Sequence, residues 1–286
     1  MPRGAAERQA ARVNILASAG ILVAAAAVAI AVMLLVRRRA PEGSYFSDGD
    51  RASGVFGVLA TGFSVLLGFI IFLAFTSYDQ SRAGAETEAL VVMQQVETAQ
   101  LMPPGIRADL TGELICYARS VVGPEWDRME DGTQGDAINP WAVAMFETVR
   151  GTEPRSASEG SAFDKWLDQT STREEARRDR VHGAEGVVPV PLWIALFVIS
   201  AVVFVYMLFF ADRAERAVTQ ALLMGSVVVV IGVMLLLLRF LDTPFGSGVG
   251  HLQPTAMERA LRVSDTALAA VGDRVRPPCD ARGRPV

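Results

Sequence analysis

The stretch VFGVLATGFSVLLGFIIFLAFTSYDQSRAGAETEALVVMQQVETAQ, residues 55–100, decides how this chain is read. Its first 23 residues, 55–77, carry no charge. A helix needs about 20 apolar residues to cross a hydrocarbon core of ~30 Å. Charges enter from residue 79, yet Ala85, Ala89, Val92, Val96 and Ala99 go on recurring at helical spacing. No proline interrupts the passage. The pattern predicts one helix that leaves the apolar layer and continues into a polar domain, until Pro103-Pro104-Gly105 ends it.

Working outward, three more runs are long and almost free of charge: 13–36, 187–211 and 217–238. Four such runs in 286 residues exclude an ordinary soluble chain, and a mean hydropathy of +0.31 excludes a disordered one. Lipid offers no partner to backbone N–H and C=O groups, so the runs must be helical. The first run exceeds the roughly 7–15 residues of a signal peptide's apolar region, and Arg37-Arg38-Arg39 follows it, so it is read as a retained span. The expected fold is an all-α integral membrane protein: four transmembrane helices, two plus two, with a helical, acidic extramembrane insert between helices 2 and 3. Its parts are a basic segment 1–14, helices 1 and 2 over 15–77 with a short loop 37–54, and the insert 78–187. Helices 3 and 4 follow over 188–241, then a turn, an amphipathic helix and a disordered tail over 242–286.

The net charge of −4 conceals a split. Residues 78–187 hold 20 acids and 11 bases, net −9, and the remainder is net +5. An acidic insert argues against nucleic acid, which demands basic surface, and against docking on anionic lipid. As the wall of a vestibule it would concentrate cations. Within it, Ile106, Leu110, Leu114, Ala118 and Val121 mark a helix stopped at Gly123-Pro124. Asn139-Pro140 starts another. A last helix over about 158–182 carries Phe163, Trp166, Leu167 and Thr170 as its buried stripe, ahead of a charged end. Such helices suggest a small bundle, with Trp126, Trp141 and Trp166 in its core. Glu125, Asp127, Glu130, Asp131 and Asp136 offer oxygen ligands for a hard cation. Their spacing is not that of an EF-hand, and an acidic solvated loop is the simpler reading.

No ionisable residue lies inside a span, which argues against a proton-coupled transporter and leaves a passive pore open. Small residues mark candidate packing faces: Ala60, Ser64 and Gly68 in the second span, and Ala221, Gly225 and Gly232 in the fourth. Nothing supports catalysis. The two histidines and two cysteines form no known motif, so no enzyme activity, cofactor or metal is expected. Cys116 sits in an apolar helix, where a buried thiol is the expectation. If all four runs span, the N-terminus, insert and tail share one side. Nine arginines flank the spans there, against six in the shorter opposite loops, so the charge rule does not decide orientation.

Two segments carry a family resemblance: 67–79, LGFIIFLAFTSYD, closing the second span, and Leu241-Asp242-Thr243-Pro244-Phe245-Gly246 after the fourth. Residues 254–261 add a weaker match. With their order and spacing, the chain from about 15 to 270 resembles a bacterial family known as domain of unknown function 4239, also described as bestrophin-like. The resemblance implies a ring of protomers, commonly five, around a pore lined by the second helix. It implies a cell (inner) membrane location, with termini and insert cytoplasmic. By the same resemblance Leu67, Ile71 and Phe75 would form an apolar neck, Phe69 with Leu73 being the alternative face, and small ions would pass. Leu241, Asp242, Pro244 and Phe245 match the family's exit motif. The acidic calcium clasp of animal bestrophins has no counterpart after Arg239. The competing reading is a membrane-anchored sensing or scaffold protein whose acidic domain binds a protein or small ligand.

Overall fold

The computed structural model describes residues 3–133, 138–246, 248–270 and 275–286, with side chains from residue 16 onward except that of residue 270. Among these the chain is helical and forms no strand: α1 Arg3–Arg39, α2 Gly49–Ala99, α3 Pro104–Ser120, α4 Trp126–Glu130, α5 Pro140–Arg150, α6 Ala157–His182, α7 Val190–Phe209, α8 Ala217–Asp242 and α9 Thr255–Ala270. α1, α2, α7 and α8 are each long and apolar enough to cross a membrane. The 51 residues of α2 run without a break from uncharged into charged sequence. The chain divides into two compact units, and the division falls within α2.

The first unit comprises Met1–Thr76, Val187–Asp242 and Ser247–Gly250. Here α1 packs along α8, which α7 also touches. Ala29, Met33, Ala211 and Met224 form a buried cluster with Phe204 and Val228 against it. Two of the small residues in α8 lie at this junction: a methyl group on Gly225 would sit 3.1 Å from Ile30, and one on Gly232 would overlap Leu22 at 2.5 Å. Ala221 is half-buried. In α2, Gly68 faces open space and Ser64 is exposed, its hydroxyl turned back to the carbonyl of Ala60 at 2.8 Å. The loop after α1 is tied to the turn after α7 through Asp212, which accepts from the N–H groups of Gly43 and Ala214.

The second unit comprises Ser77–Gly186, Thr243–Gly246 and His251–Val286. Its core gathers Val92 and Val96 of α2, Leu110, Leu114 and Tyr117 of α3, Trp141 and Met145 of α5, Phe163 and Trp166 of α6, and Met257 and Ala260 of α9. Asn139 caps α5 by accepting from the N–H of Trp141, and Ser156 caps α6 through Glu159. Gly84 lets α2 and α6 approach, since a methyl group there would lie 2.5 Å from the Arg180 backbone. Trp126, Trp141 and Trp166 are all buried, whereas Leu167 is exposed and leaves the stripe assigned to it.

Three expectations are corrected in this unit. Gly123-Pro124 does not stop α3. Residues Val121–Glu125 widen into a π-helical turn and the path continues into α4. The wider turn accommodates a proline ring and its missing N–H. The chain beyond Pro277-Pro278 is not a disordered tail. It folds back on α3 and α5: the indole N–H of Trp141 donates to Gly283 O at 2.6 Å, and Arg282 pairs with Asp127. Cys116 is not a thiol. It is bonded to Cys279, closing 163 residues of sequence.

Candidate functional site

Along the apolar half of α2, one face is buried and the opposite face bare. Phe63, Leu67, Ile70 and Ala74, three or four residues apart, have exposures of 0–6%. On the other side Val58, Val65, Phe69 and Phe72 stand 59–74% exposed, and Thr76, one turn on, is exposed too. The Thr76 hydroxyl turns back to the carbonyl of Phe72 at 3.0 Å, leaving its methyl outward. The stripe is therefore continuous, uncharged and rimmed by a polar residue. Of the three residues first considered for a neck, Leu67 sits on the buried face, Ile71 is half-buried, and Phe75 is exposed but displaced to the flank. Of the alternative pair, Phe69 and Leu73 are both exposed.

The LDxPF motif resolves into two separate tasks. In the first unit Leu241 and Asp242 are buried. Asp242 Oδ1 accepts from the N–H groups of Val187 and Val188 at 2.7 and 2.8 Å, and Oδ2 accepts from the indole of Trp193 at 3.4 Å. The carboxylate at the end of α8 thus anchors the segment that leads into α7 and satisfies two backbone donors there. In the second unit Phe245 meets Trp126 edge to face, ring centroids 5.3 Å apart, over Met129, Ala184 and Leu252. Pro244 closes the same turn, its carbonyl accepting from Leu252 at 2.8 Å.

A buried charge network escaped the sequence reading. Glu88 of α2 and Arg180 of α6, both without solvent exposure, form a two-point pair. Arg180 also reaches Glu125 at 2.8 Å, and Arg177 approaches Glu125 at 3.5 Å. Tyr117 donates to Glu88 at 2.6 Å and Asn139 to Glu125 at 2.8 Å. Arg173, 1% exposed, lies over the Tyr117 ring and donates to Gln95. Burial opposes ionisation of Glu125, but Arg180 and Arg177 outweigh it and hold the carboxyl below its ordinary range. Burial likewise opposes the charge on Arg180, and Glu88 and Glu125 overcome it. Burial first, and the charge of Glu88 second, push the Tyr117 phenol well above its usual value.

The network is packed shut and holds no cavity large enough for a ligand. It gives the acidic segment a role other than cation binding, since Glu125 is committed to arginines and Asp127 to Arg282. Asp136 lies outside the described residues. No cluster that could hold a metal occurs among the described residues. Sequence did carry a signal for the network. Glu88 falls in the apolar stripe of α2, and Arg173 and Arg180 continue the spacing of Phe163, Trp166 and Thr170.

Four membrane-length helices, with a helical polar unit grown from the second of them, define a class of helical membrane protein. The model of the bestrophin-like domain matches residues 23–257, and the chain belongs to that family. A variant of a bacterial bestrophin homologue from Klebsiella pneumoniae superposes with a TM-score of 0.64 at 11% identity, over 88% of this chain and 99% of that one. The structure of the Klebsiella homologue phased on zinc gives 0.62 at 13%, over 91% and 99%. A structure described as a membrane protein gives 0.64 at 11%, over 88% and 99%. These likenesses establish a common fold. No curated protein sequence matches significantly.

Proposed function

We propose that this chain is one subunit of a homo-oligomeric ion channel in a cell membrane, with ions passing along the bare face of α2. The four apolar helices cross two plus two, and copies of the chain, five by family analogy, surround the conduit. Membership of the bestrophin-like family supports a channel kind of function. The observation that carries the reading is the contrast within α2, where Leu67 is 1% exposed and Phe72 is 62% exposed. A pore-lining helix has no protein partner on its luminal side, and apolar rings at a constriction gate by dewetting. Val65, Phe69, Phe72 and Thr76 are assigned to the lumen in place of Leu67. Acidic residues of the second unit would raise local cation concentration at one mouth. Purified protein in planar bilayers conducts on this reading, and Phe72→Ala changes the current. A monomer by mass photometry in mild detergent, or a silent bilayer, refutes it.

A further inference from the structure

The only two cysteines of the chain are joined in a bond that belongs to a packed core. Cys116 is fully buried and Cys279 is 7% exposed. Residues around the bond are fitted to it. Gly283, at φ +75°, passes so close to α3 that a methyl group would lie 2.4 Å from the Ser120 backbone and 2.7 Å from the Cys116 carbonyl. Arg119 reaches Asp280 O at 3.3 Å, and Asp280 N–H donates to Arg284 O at 2.9 Å in the turn beyond. Persistent disulfides of this kind form in oxidising compartments and are rare where glutathione and thioredoxin keep thiols reduced.

The bond also constrains the path of the chain. Cys116 precedes α7 and Cys279 follows α8, so a covalent link requires the chain to return, after those two helices, to the side it left. The arginines that flank the spans, nine on the side of the 78–187 segment against six on the shorter opposite loops, do not decide between the two orientations, so the placement rests on the disulfide.

We propose that the second unit resides on the oxidising, extracytoplasmic side of the membrane, the reverse of the placement that the bestrophin resemblance implies, and that Cys116–Cys279 fastens its C-terminal segment there. The bond is made by thiol–disulfide exchange with a protein disulfide of that compartment. One cysteine thiolate attacks the donor disulfide to give a mixed disulfide, and the other displaces the donor. Two thiols lose two electrons and two protons, and the donor leaves as its dithiol. This inference is independent of ion conduction, and a silent bilayer leaves it intact.

The test uses the full chain in a Gram-negative host. Val286 is 95% exposed, which leaves room for a fusion. A C-terminal alkaline phosphatase should be active and a C-terminal green fluorescent protein dark. In the untagged chain, quenched in acid and then denatured, a polyethylene-glycol maleimide should add nothing before dithiothreitol and two adducts after it. A host lacking its periplasmic thiol oxidase should give two adducts directly. A fluorescent fusion with inactive phosphatase, or two free thiols in the oxidase-proficient host, overturns the proposal.

Discussion

Glu88 on α2 and Arg180 on α6, 92 positions apart, meet as a doubly hydrogen-bonded ion pair with no exposed side-chain surface on either partner. Breaking a buried pair by removing one partner leaves an uncompensated charge and typically costs about 3–5 kcal/mol. Arg180→Met leaves Glu88 without a cationic partner and Glu125 with Arg177 alone, and should lower the thermal midpoint in detergent severely. Glu88→Gln leaves Arg180 its second carboxylate and should cost less. The double variant Glu88→Gln/Arg180→Met should be more stable than Arg180→Met alone, which thermal unfolding of the three proteins checks.

Acid should act through Glu125. Its folded-state pKa lies below the ordinary 4.5, so the stabilisation it provides is fully present above pH 4.5 and is lost as pH falls through the folded value. Glu125→Gln should be less stable than the parent at pH 7, with the difference shrinking as pH drops below 4.5. Unfolding midpoints measured from pH 7 to pH 3 read this directly.

Glu113 should show the opposite sign. Burial chiefly, with Asp109 and Glu147 adding to it against a hydrogen bond from Thr148, raises its pKa from 4.5 to about 7. The folded state then holds a proton that the unfolded chain releases. Stability falls as pH rises from 4.5 to 7, and the penalty is complete above 7. Glu113→Gln should flatten that slope and raise the thermal midpoint at pH 8. An unchanged slope refutes the assignment.

The two faces of α2 should separate stability from conduction. Leu67→Ala opens a cavity on a buried face and should destabilise by about 2–5 kcal/mol. Phe69→Ala and Phe72→Ala remove exposed rings and should leave the midpoint within about 0.5 kcal/mol while altering single-channel current. The reverse pattern would return the neck to Leu67.

Asp242→Ala should loosen the segment before α7 by leaving the N–H groups of Val187 and Val188 without their acceptor, at a cost of about 1–3 kcal/mol. Asp242→Asn keeps an oxygen there and should cost less. Hydrogen exchange at residues 187–190 separates the two variants.

Much of the fold was legible because its signals are local. The persistence of α2 from residue 55 to 99 could be read from an uninterrupted helical spacing, and the start of α5 from Asn139-Pro140. The path through Pro124 is not legible in this way, because a π-helical turn held by its neighbours absorbs a proline that an isolated helix cannot. Which face of α2 would form a neck is not legible there, because all residues between 63 and 76 are apolar or small. Hydropathy alone does not say which side of such a helix its own chain covers.

Parts whose free energy is set segment by segment are written in the amino-acid order alone: four helices apolar enough for a bilayer and an acidic helical stretch between the second and third. Which groups meet across long separations is set by the folded chain. It paired Cys116 with Cys279, set Arg180 between Glu88 and Glu125, and turned Phe72 outward and Leu67 inward. Transfer of a helix out of water depends on composition within about 20 residues. A buried ion pair or a disulfide depends on where two distant backbones have been carried, which no window along the chain contains.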